Sequence, residues 1–149
     1  MQLICEIYAI MRDVLKLSNE QMAEIFTTWN NGVLKSYLIE ITSEILAEKD
    51  EHGDCLVNKI LDTAMQKGTG KWTVVSAREE GQPLTLITEA VDARVLSSMK
   101  SERKISSKLI EKPVFIPAEV EKTLEYLMNA LYAAKIISYA QGFSLLKSA

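Results

Sequence analysis

The sequence contains few of the residues that form tight turns: its 149 residues include only six glycines and three prolines. So few turn formers exclude a sandwich or barrel built from many tight hairpins. Two cysteines and a single histidine cannot supply a four-ligand Cys/His zinc site. No metal site is therefore expected, and Cys5 and Cys55 are interpreted as reduced thiols in the core of an intracellular protein.

Three other signals are missing. No stretch approaches the ~20 uninterrupted apolar residues of a membrane span. The N-terminus lacks the basic region and continuous apolar run of a secretory signal. The formal net charge of −3 gives no basic excess of the kind that nucleic-acid binders carry. We therefore expect neither a membrane nor a nucleic-acid partner, and a cytoplasmic location by default.

What the sequence does contain is helical periodicity. Hydrophobic residues make up 48% and charged residues 25%, as in a globular domain of ordinary size. Apolar residues recur at helical spacing from Leu3 onward, with nothing before Met1 to cap that helix, so either solvent caps it or the chain is cut from a longer one. No alternating segments pair as strands. The fold class predicted is all-α, one multi-helix unit without a sheet.

The predicted helices follow from caps and breakers. A capping box formed by Ser18 and Gln21 starts the second helix, and Pro117 opens the last one. That last helix is apolar on nearly all sides after Leu131, which predicts that it is buried and that its neighbours include more protein than this chain readily supplies. The predicted helical segments are 1–17, 19–30, 34–48, a short piece at 56–65, 72–80, 83–109 and a final helix from 117, after a turn at 113–116.

Residues 67–71, Lys-Gly-Thr-Gly-Lys, are a candidate binding loop. Two glycines let backbone approach a ligand closely, and the flanking lysines add positive charge. It is not a P-loop, because Met65 stands where that motif needs glycine and Trp72 where it needs Ser or Thr. The alternative is a simple turn between helices with solvated lysines.

Arg94 is the second candidate. It falls on the flank of an apolar helical stripe, and its neighbours three and four residues away include no carboxylate. A partly buried guanidinium without a partner is unfavourable. Its positive charge must therefore be compensated either by a distant Asp or Glu or by a bound phosphate or carboxylate. His52 and the basic residues between Lys100 and Lys112 are interpreted as solvated surface. No triad and no dinucleotide fingerprint is present, so no catalytic and no cofactor-binding residue is assigned.

Several segments resemble the 6-phosphogluconate dehydrogenases, above all Gln-Lys-Gly-Thr-Gly-Lys-Trp at 66–72. The other matching segments are 1–6, 26–30, 37–42, 89–94 and 135–143. The likeness covers the whole chain and implies that residues 1–149 are the first part of that family's C-terminal all-helical domain. Lys67 and Arg94 match the family's residues that contact the substrate, mainly at its phosphate end.

The resemblance also implies an activity and an assembly. The family oxidises 6-phosphogluconate with NADP and decarboxylates the product to ribulose 5-phosphate, without a metal, in the pentose phosphate pathway. It forms cytosolic homodimers, and NADP is held mainly by an N-terminal Rossmann domain. That domain, the catalytic lysine and glutamate that precede the position of Met1, and the C-terminal tail are absent here, so this chain alone is expected to be inactive.

Two alternatives remain at the level of sequence. The chain could be a non-catalytic helical self-association module or a degenerate relative of the enzyme. It could also derive from a different β-hydroxyacid dehydrogenase, in which case Lys67 would be incidental.

Overall fold

The computed structural model describes residues 1–111, 114–115 and 119–149, and within them it confirms an all-α fold. These residues form no strand, only an isolated antiparallel bridge between Lys49 and Cys55. No helix among them is long and apolar enough to cross a membrane. The helices are α1 Gln2–Asp13, α2 Asn19–Asn30, α3 Tyr37–Ala47, a 3-10 turn at Leu56–Lys59, α4 Thr69–Glu79, α5 Thr85–Ser98, α6 Lys100–Leu109 and α7 Val120–Ser148.

The chain divides into two compact units. Unit 1 comprises Met1–Leu61 and Val114–Tyr132, and unit 2 comprises Asp62–Pro113 and Ala133–Ala149. Unit 1 holds a continuous apolar core in which Phe26 packs edge-on against Trp29, with 5.4 Å between the ring centroids. Its buried members are Ile7, Met11, Leu15, Met22, Ala23, Phe26, Trp29, Leu34, Ile39, Leu46, Leu127 and Leu131.

The predicted capping box at the start of α2 is present. The Ser18 hydroxyl accepts a hydrogen bond from the Gln21 N–H at 3.2 Å, and the Gln21 side chain accepts one from the Ser18 N–H at 2.8 Å. The two bonds satisfy donors that a helix start otherwise leaves free. The predicted end of this helix at Asn30 is also confirmed.

Ion pairs close the polar turn after α3. Asp50 Oδ1 accepts from the backbone N–H groups of His52 and Asp54, while the Lys59 ammonium pairs with the carboxylates of Asp50 and Asp54. The hydrogen bond from Lys59 lowers the pKa of Asp50. His52 itself is exposed, as expected.

Unit 2 has a much smaller core. Its buried apolar residues, among those described, are Ala77, Leu84 and Leu145, with Ile87 packed against them. Polar contacts add to this packing, because Gln141 on α7 accepts from the Leu86 N–H at 3.1 Å and donates to the Thr85 hydroxyl at 2.8 Å.

Several predicted helix boundaries are wrong. The predicted helix 83–109 is broken at Met99, whose ψ of 52° lies outside the helical range, so that α5 ends at Ser98 and α6 begins at Lys100. Helix α1 ends at Asp13, and Lys16 beyond it takes a left-handed φ of 58°. Helix α3 starts later than predicted, at Tyr37, and the segment 56–65 is helical only in its 3-10 turn.

The described residues leave the second half of α7 uncovered, and its large apolar side chains Ile136, Ile137, Tyr139, Phe143 and Leu146 are exposed. This agrees with the prediction that the neighbours of this helix include more protein than the chain supplies. The prediction for the cysteines, in contrast, is wrong. Cys5 is exposed and Cys55 half-buried, so neither thiol is in the core, although both are free. The predicted turn at 113–116 and the helix start at Pro117 involve residues outside the described ranges.

Candidate functional site

The glycine loop leads directly into α4. Lys67 is exposed at the end of an irregular segment, and Gly68 is the N-cap of a helix that begins at Thr69, three residues before the predicted start. Gly68 has a φ of +104°, a backbone conformation that favours glycine, and its N–H donates to the Gln66 side chain at 2.8 Å. A glycine cap offers no side-chain acceptor, so no side chain caps the positive end of the α4 dipole.

The second glycine of the loop serves packing. A Cβ at Gly70 would lie 2.7 Å from Val91 Cγ2 on α5, closer than any ordinary contact. The absence of a side chain at this position therefore lets α4 pass close to α5. The sequence interpretation, in which both glycines admit a ligand, does not apply to Gly70.

Arg94 lies on α5 and reaches back to the segment that precedes the loop. Its Nη2 donates to the Met65 carbonyl at 2.5 Å, while its Nε is buried and has no hydrogen-bond partner among the described residues. Across these same residues no carboxylate forms an ion pair with Arg94. A carbonyl is a dipole without net charge, so the bond orients the guanidinium and leaves its charge uncompensated.

The loop lysines are likewise unpaired within the described part of the chain. Neither Lys67 nor Lys71 forms an ion pair there. Met65, whose carbonyl accepts the hydrogen bond from Arg94, lies two residues before Lys67. The Arg94 side chain therefore contacts the segment that carries Lys67. Three cationic side chains without carboxylate partners are thus carried by this loop, α4 and α5, which is the electrostatic character that an anion site needs.

Two residues at the end of α5 and the start of α6 were missed by the sequence analysis. The Arg103 guanidinium donates to the Asp62 carboxylate at 3.0 Å, to the Asp62 carbonyl at 2.8 Å and to the Ser97 carbonyl at 3.0 Å. Its interpretation as part of a solvated basic face is therefore wrong. No spacing in the sequence signals this contact, because Asp62 and Arg103 are 41 residues apart.

The described residues include no group of three or more His, Cys, Asp or Glu side chains placed to share a metal ion. They also contain no parallel strands of the kind that form the dinucleotide crevice of a Rossmann fold.

Comparison with known proteins identifies the fold. The family model described as "6-phosphogluconate dehydrogenase, C-terminal domain" matches residues 1–149. The decarboxylating 6-phosphogluconate dehydrogenase of Ovis aries is 56% identical over 151 residues, and that of Shigella dysenteriae is 53% identical over 150. The chain belongs to the 6-phosphogluconate dehydrogenase family.

A solved structure agrees with this assignment. The Plasmodium falciparum 6-phosphogluconate dehydrogenase, determined in its apo form and in complex with its cofactor NADP+ and its substrate 6-phosphogluconate, matches with a TM-score of 0.92 and 47% identity. That match covers 99% of this chain and 32% of the solved one. The chain is covered completely by the Ovis aries and Shigella dysenteriae relatives but spans only 31% and 34% of their lengths. It therefore corresponds to about a third of a 6-phosphogluconate dehydrogenase.

Proposed function

We propose that this chain supplies the phosphate-binding part of the substrate site in a decarboxylating 6-phosphogluconate dehydrogenase. In this proposal Lys67 and Arg94 bind the phosphate of 6-phosphogluconate, and the whole enzyme oxidises that substrate with NADP+ and releases CO2 and ribulose 5-phosphate. The planar fork of Arg94 suits two phosphate oxygens at once, and Lys67 adds a point charge.

The observation that carries the proposal is the state of Arg94. Its guanidinium is half-buried, holds one carbonyl and pairs with no carboxylate of the described residues. A structural arginine at such a position normally has an acidic partner, because an unpaired buried charge is costly. A phosphate dianion would supply the missing negative charge, and the uncapped start of α4 nearby in the sequence adds donors for it.

The catalytic acid/base groups and NADP+ are assigned to parts of the enzyme beyond this chain. In this proposal the described residues supply neither the dinucleotide site nor a catalytic residue. We therefore expect the chain alone to reduce no NADP+ with 6-phosphogluconate in an absorbance assay, and a kcat above roughly 1 s⁻¹ would contradict this. The same proposal places the whole enzyme in the cytoplasm and its reaction in the pentose phosphate pathway.

We also propose that the enzyme is a homodimer to which this chain contributes surface. The support is an exposed apolar groove in unit 2, lined by Trp72 on α4 and by Tyr139, Phe143 and Leu146 on α7. Apolar patches of this kind mark interfaces in soluble proteins. Light scattering of this chain at high concentration tests whether the apolar surface self-associates. A monomer at every concentration would contradict the proposal.

The test of the phosphate site uses a chimeric dehydrogenase, defined as the Ovis aries enzyme with this chain in place of its matching segment. Arg94→Ala should raise KM for 6-phosphogluconate roughly tenfold or more, through loss of about 1.5–3 kcal/mol of charged hydrogen bonding. Lys67→Ala should act in the same direction. KM for NADP+ should stay nearly unchanged in both variants.

A matched control is Lys104→Ala, which removes one exposed positive charge from α6 and should leave both KM values unchanged. If KM for NADP+ changes in Arg94→Ala while KM for 6-phosphogluconate does not, Arg94 serves the cofactor and the assignment is wrong. Equal effects of Lys104→Ala and Lys67→Ala would reduce the role of Lys67 to general electrostatic attraction.

A further inference from the structure

The segment that carries Lys67 has no regular structure of its own. Between the 3-10 turn, which ends at Lys59, and the start of α4 at Thr69, no residue is helical. Backbone groups in such a segment must find partners elsewhere in the fold or in solvent. For residues 62–65 several of these partners lie on α5 and α6, near the junction of the two helices.

Ser97 holds this segment at two points. Its hydroxyl accepts a hydrogen bond from the Ala64 N–H at 3.0 Å, and its carbonyl accepts one from the Thr63 hydroxyl at 3.2 Å. In a continuous helix the Ser97 carbonyl would accept from the N–H four residues later. The break at Met99 releases that carbonyl, so the interruption of the helix creates the acceptor that the segment uses.

Arg103 closes the same junction from α6. One of its nitrogens bridges the carbonyls of Asp62 and Ser97, and another binds the Asp62 carboxylate. A cation beside the last carbonyls of α5 also suits the helix dipole. Together with the bond from Arg94 to Met65, these contacts tie residues 62–65 to α5 and α6 directly before Lys67.

We propose that Ser97 and Arg103, together called the loop anchor, are positioning residues for Lys67. They fix the backbone of residues 62–65 so that Lys67 is presented to the phosphate from the segment that Arg94 also holds. This role rests on the proposed function of Lys67 in phosphate binding. The loop anchor touches neither substrate nor cofactor in this assignment and acts through the path of the backbone.

The test measures the kinetics of the chimeric dehydrogenase. Ser97→Ala removes the acceptor of the Ala64 N–H and should raise KM for 6-phosphogluconate roughly three- to tenfold, with kcat and KM for NADP+ unchanged. Ser97→Thr keeps the hydroxyl and should restore KM. Thr63→Val removes the other bond from the loop side, with little change in side-chain shape, and should act in the same direction if Ser97→Ala folds poorly.

A double-mutant cycle separates positioning from general damage. In a Lys67→Ala background, Ser97→Ala should raise KM no further, because the residue that it positions is gone. Hydrogen exchange provides a readout independent of turnover, since the Ala64 amide should exchange faster in Ser97→Ala and at the original rate in Ser97→Thr.

The failures are distinguishable. If Lys67→Ala leaves KM for 6-phosphogluconate unchanged, Lys67 does not bind the phosphate, and the role of the loop anchor is overturned with it. If Lys67→Ala raises KM but Ser97→Ala and Thr63→Val do not, the proposed function stands and the loop anchor is overturned. If Ser97→Ala raises KM for 6-phosphogluconate equally in the Lys67 and the Lys67→Ala backgrounds, the positioning role of the loop anchor is also overturned.

Discussion

Unit 1 and unit 2 are stabilised by different kinds of contact. Among the described residues, the core of unit 1 contains twelve buried apolar residues and that of unit 2 contains three. Unit 2 instead uses hydrogen bonds between distant segments, such as those of Arg103 with Asp62 and of Gln141 with Thr85. Ion pairs in unit 1, such as Glu20 with Lys49, involve half-exposed side chains that are not part of its apolar core.

The candidate site belongs to the unit with the smaller core. Binding loops generally lie where few apolar contacts restrict them, and a rigid scaffold elsewhere supplies stability. We therefore expect the polar contacts of unit 2 to position Lys67 and Arg94, and the apolar contacts of unit 1 to contribute most of the free energy of unfolding. Substitutions in the two units should therefore separate into effects on binding and effects on stability.

The strongest test of this comparison substitutes leucine by alanine in each unit. Leu46, in the last turn of α3, is 3% exposed, and Leu109, the last residue of α6, is 80% exposed. Leu46→Ala should reduce the free energy of unfolding by about 2–5 kcal/mol, because it leaves a cavity in the core of unit 1. Leu109→Ala should change it by less than about 0.5 kcal/mol. Urea unfolding followed by circular dichroism measures both free energies, and a similar loss in the two variants would show that Leu46 is not packed in a core that stabilises unit 1.

A second substitution probes the packing that unit 2 does have. Gly70→Ala would force a Cβ against Val91 and should reduce the free energy of unfolding by about 1–3 kcal/mol. Val91→Ala should remove most of that loss when combined with it. The matched control is Gly142→Ala in α7, where no heavy atom lies within 4 Å of the added Cβ. It should raise the free energy of unfolding by about 0.5–1 kcal/mol. A neutral Gly70→Ala would show that α4 and α5 are not in close contact.

The smallest expected effect is that of the surface ion pair in unit 1. The hydrogen bond from Lys49 at 2.9 Å lowers the pKa of Glu20 to about 2. A lowered carboxyl pKa gives stability that is present above the ordinary value and lost as the pH falls through about 2. Glu20→Gln should therefore lower Tm slightly at pH 7, with a difference that shrinks below pH of about 4.

Thermal unfolding across that pH range measures the effect. Glu24→Gln, on the same helix and without an ion pair among the described residues, should show no such dependence. A large loss of Tm in Glu20→Gln at pH 7 would mean that unit 1 relies on polar contacts as unit 2 does.

Local features were predictable from the sequence because their causes are local. The capping box of α2 requires only Ser18 and Gln21, three residues apart, and apolar periodicity sets the fold class. The loop at Lys67 and the absence of a local carboxylate beside Arg94 were also identified from the sequence, since each depends on residues within four positions. The choice between a distant carboxylate and a bound anion for Arg94 could not be made from the sequence. The resemblance of the chain to the 6-phosphogluconate dehydrogenases is confirmed. The role of Lys67 and Arg94 in binding remains a prediction.

Features that depend on distant partners were not predictable. No proline or glycine marks the break at Met99, and nothing near Arg103 in the sequence indicates that Asp62 accepts its hydrogen bonds.

The break at Met99 has a consequence for the order of folding. The Ser97 carbonyl gives up a helical bond four residues away and takes a partner, Thr63, that lies 34 residues earlier. Contacts of large sequence separation carry the entropy of closing a long loop and form after local structure. We therefore expect α4 and α5 to form first, and the segment that carries Lys67 to become ordered only when the junction of α5 and α6 is complete.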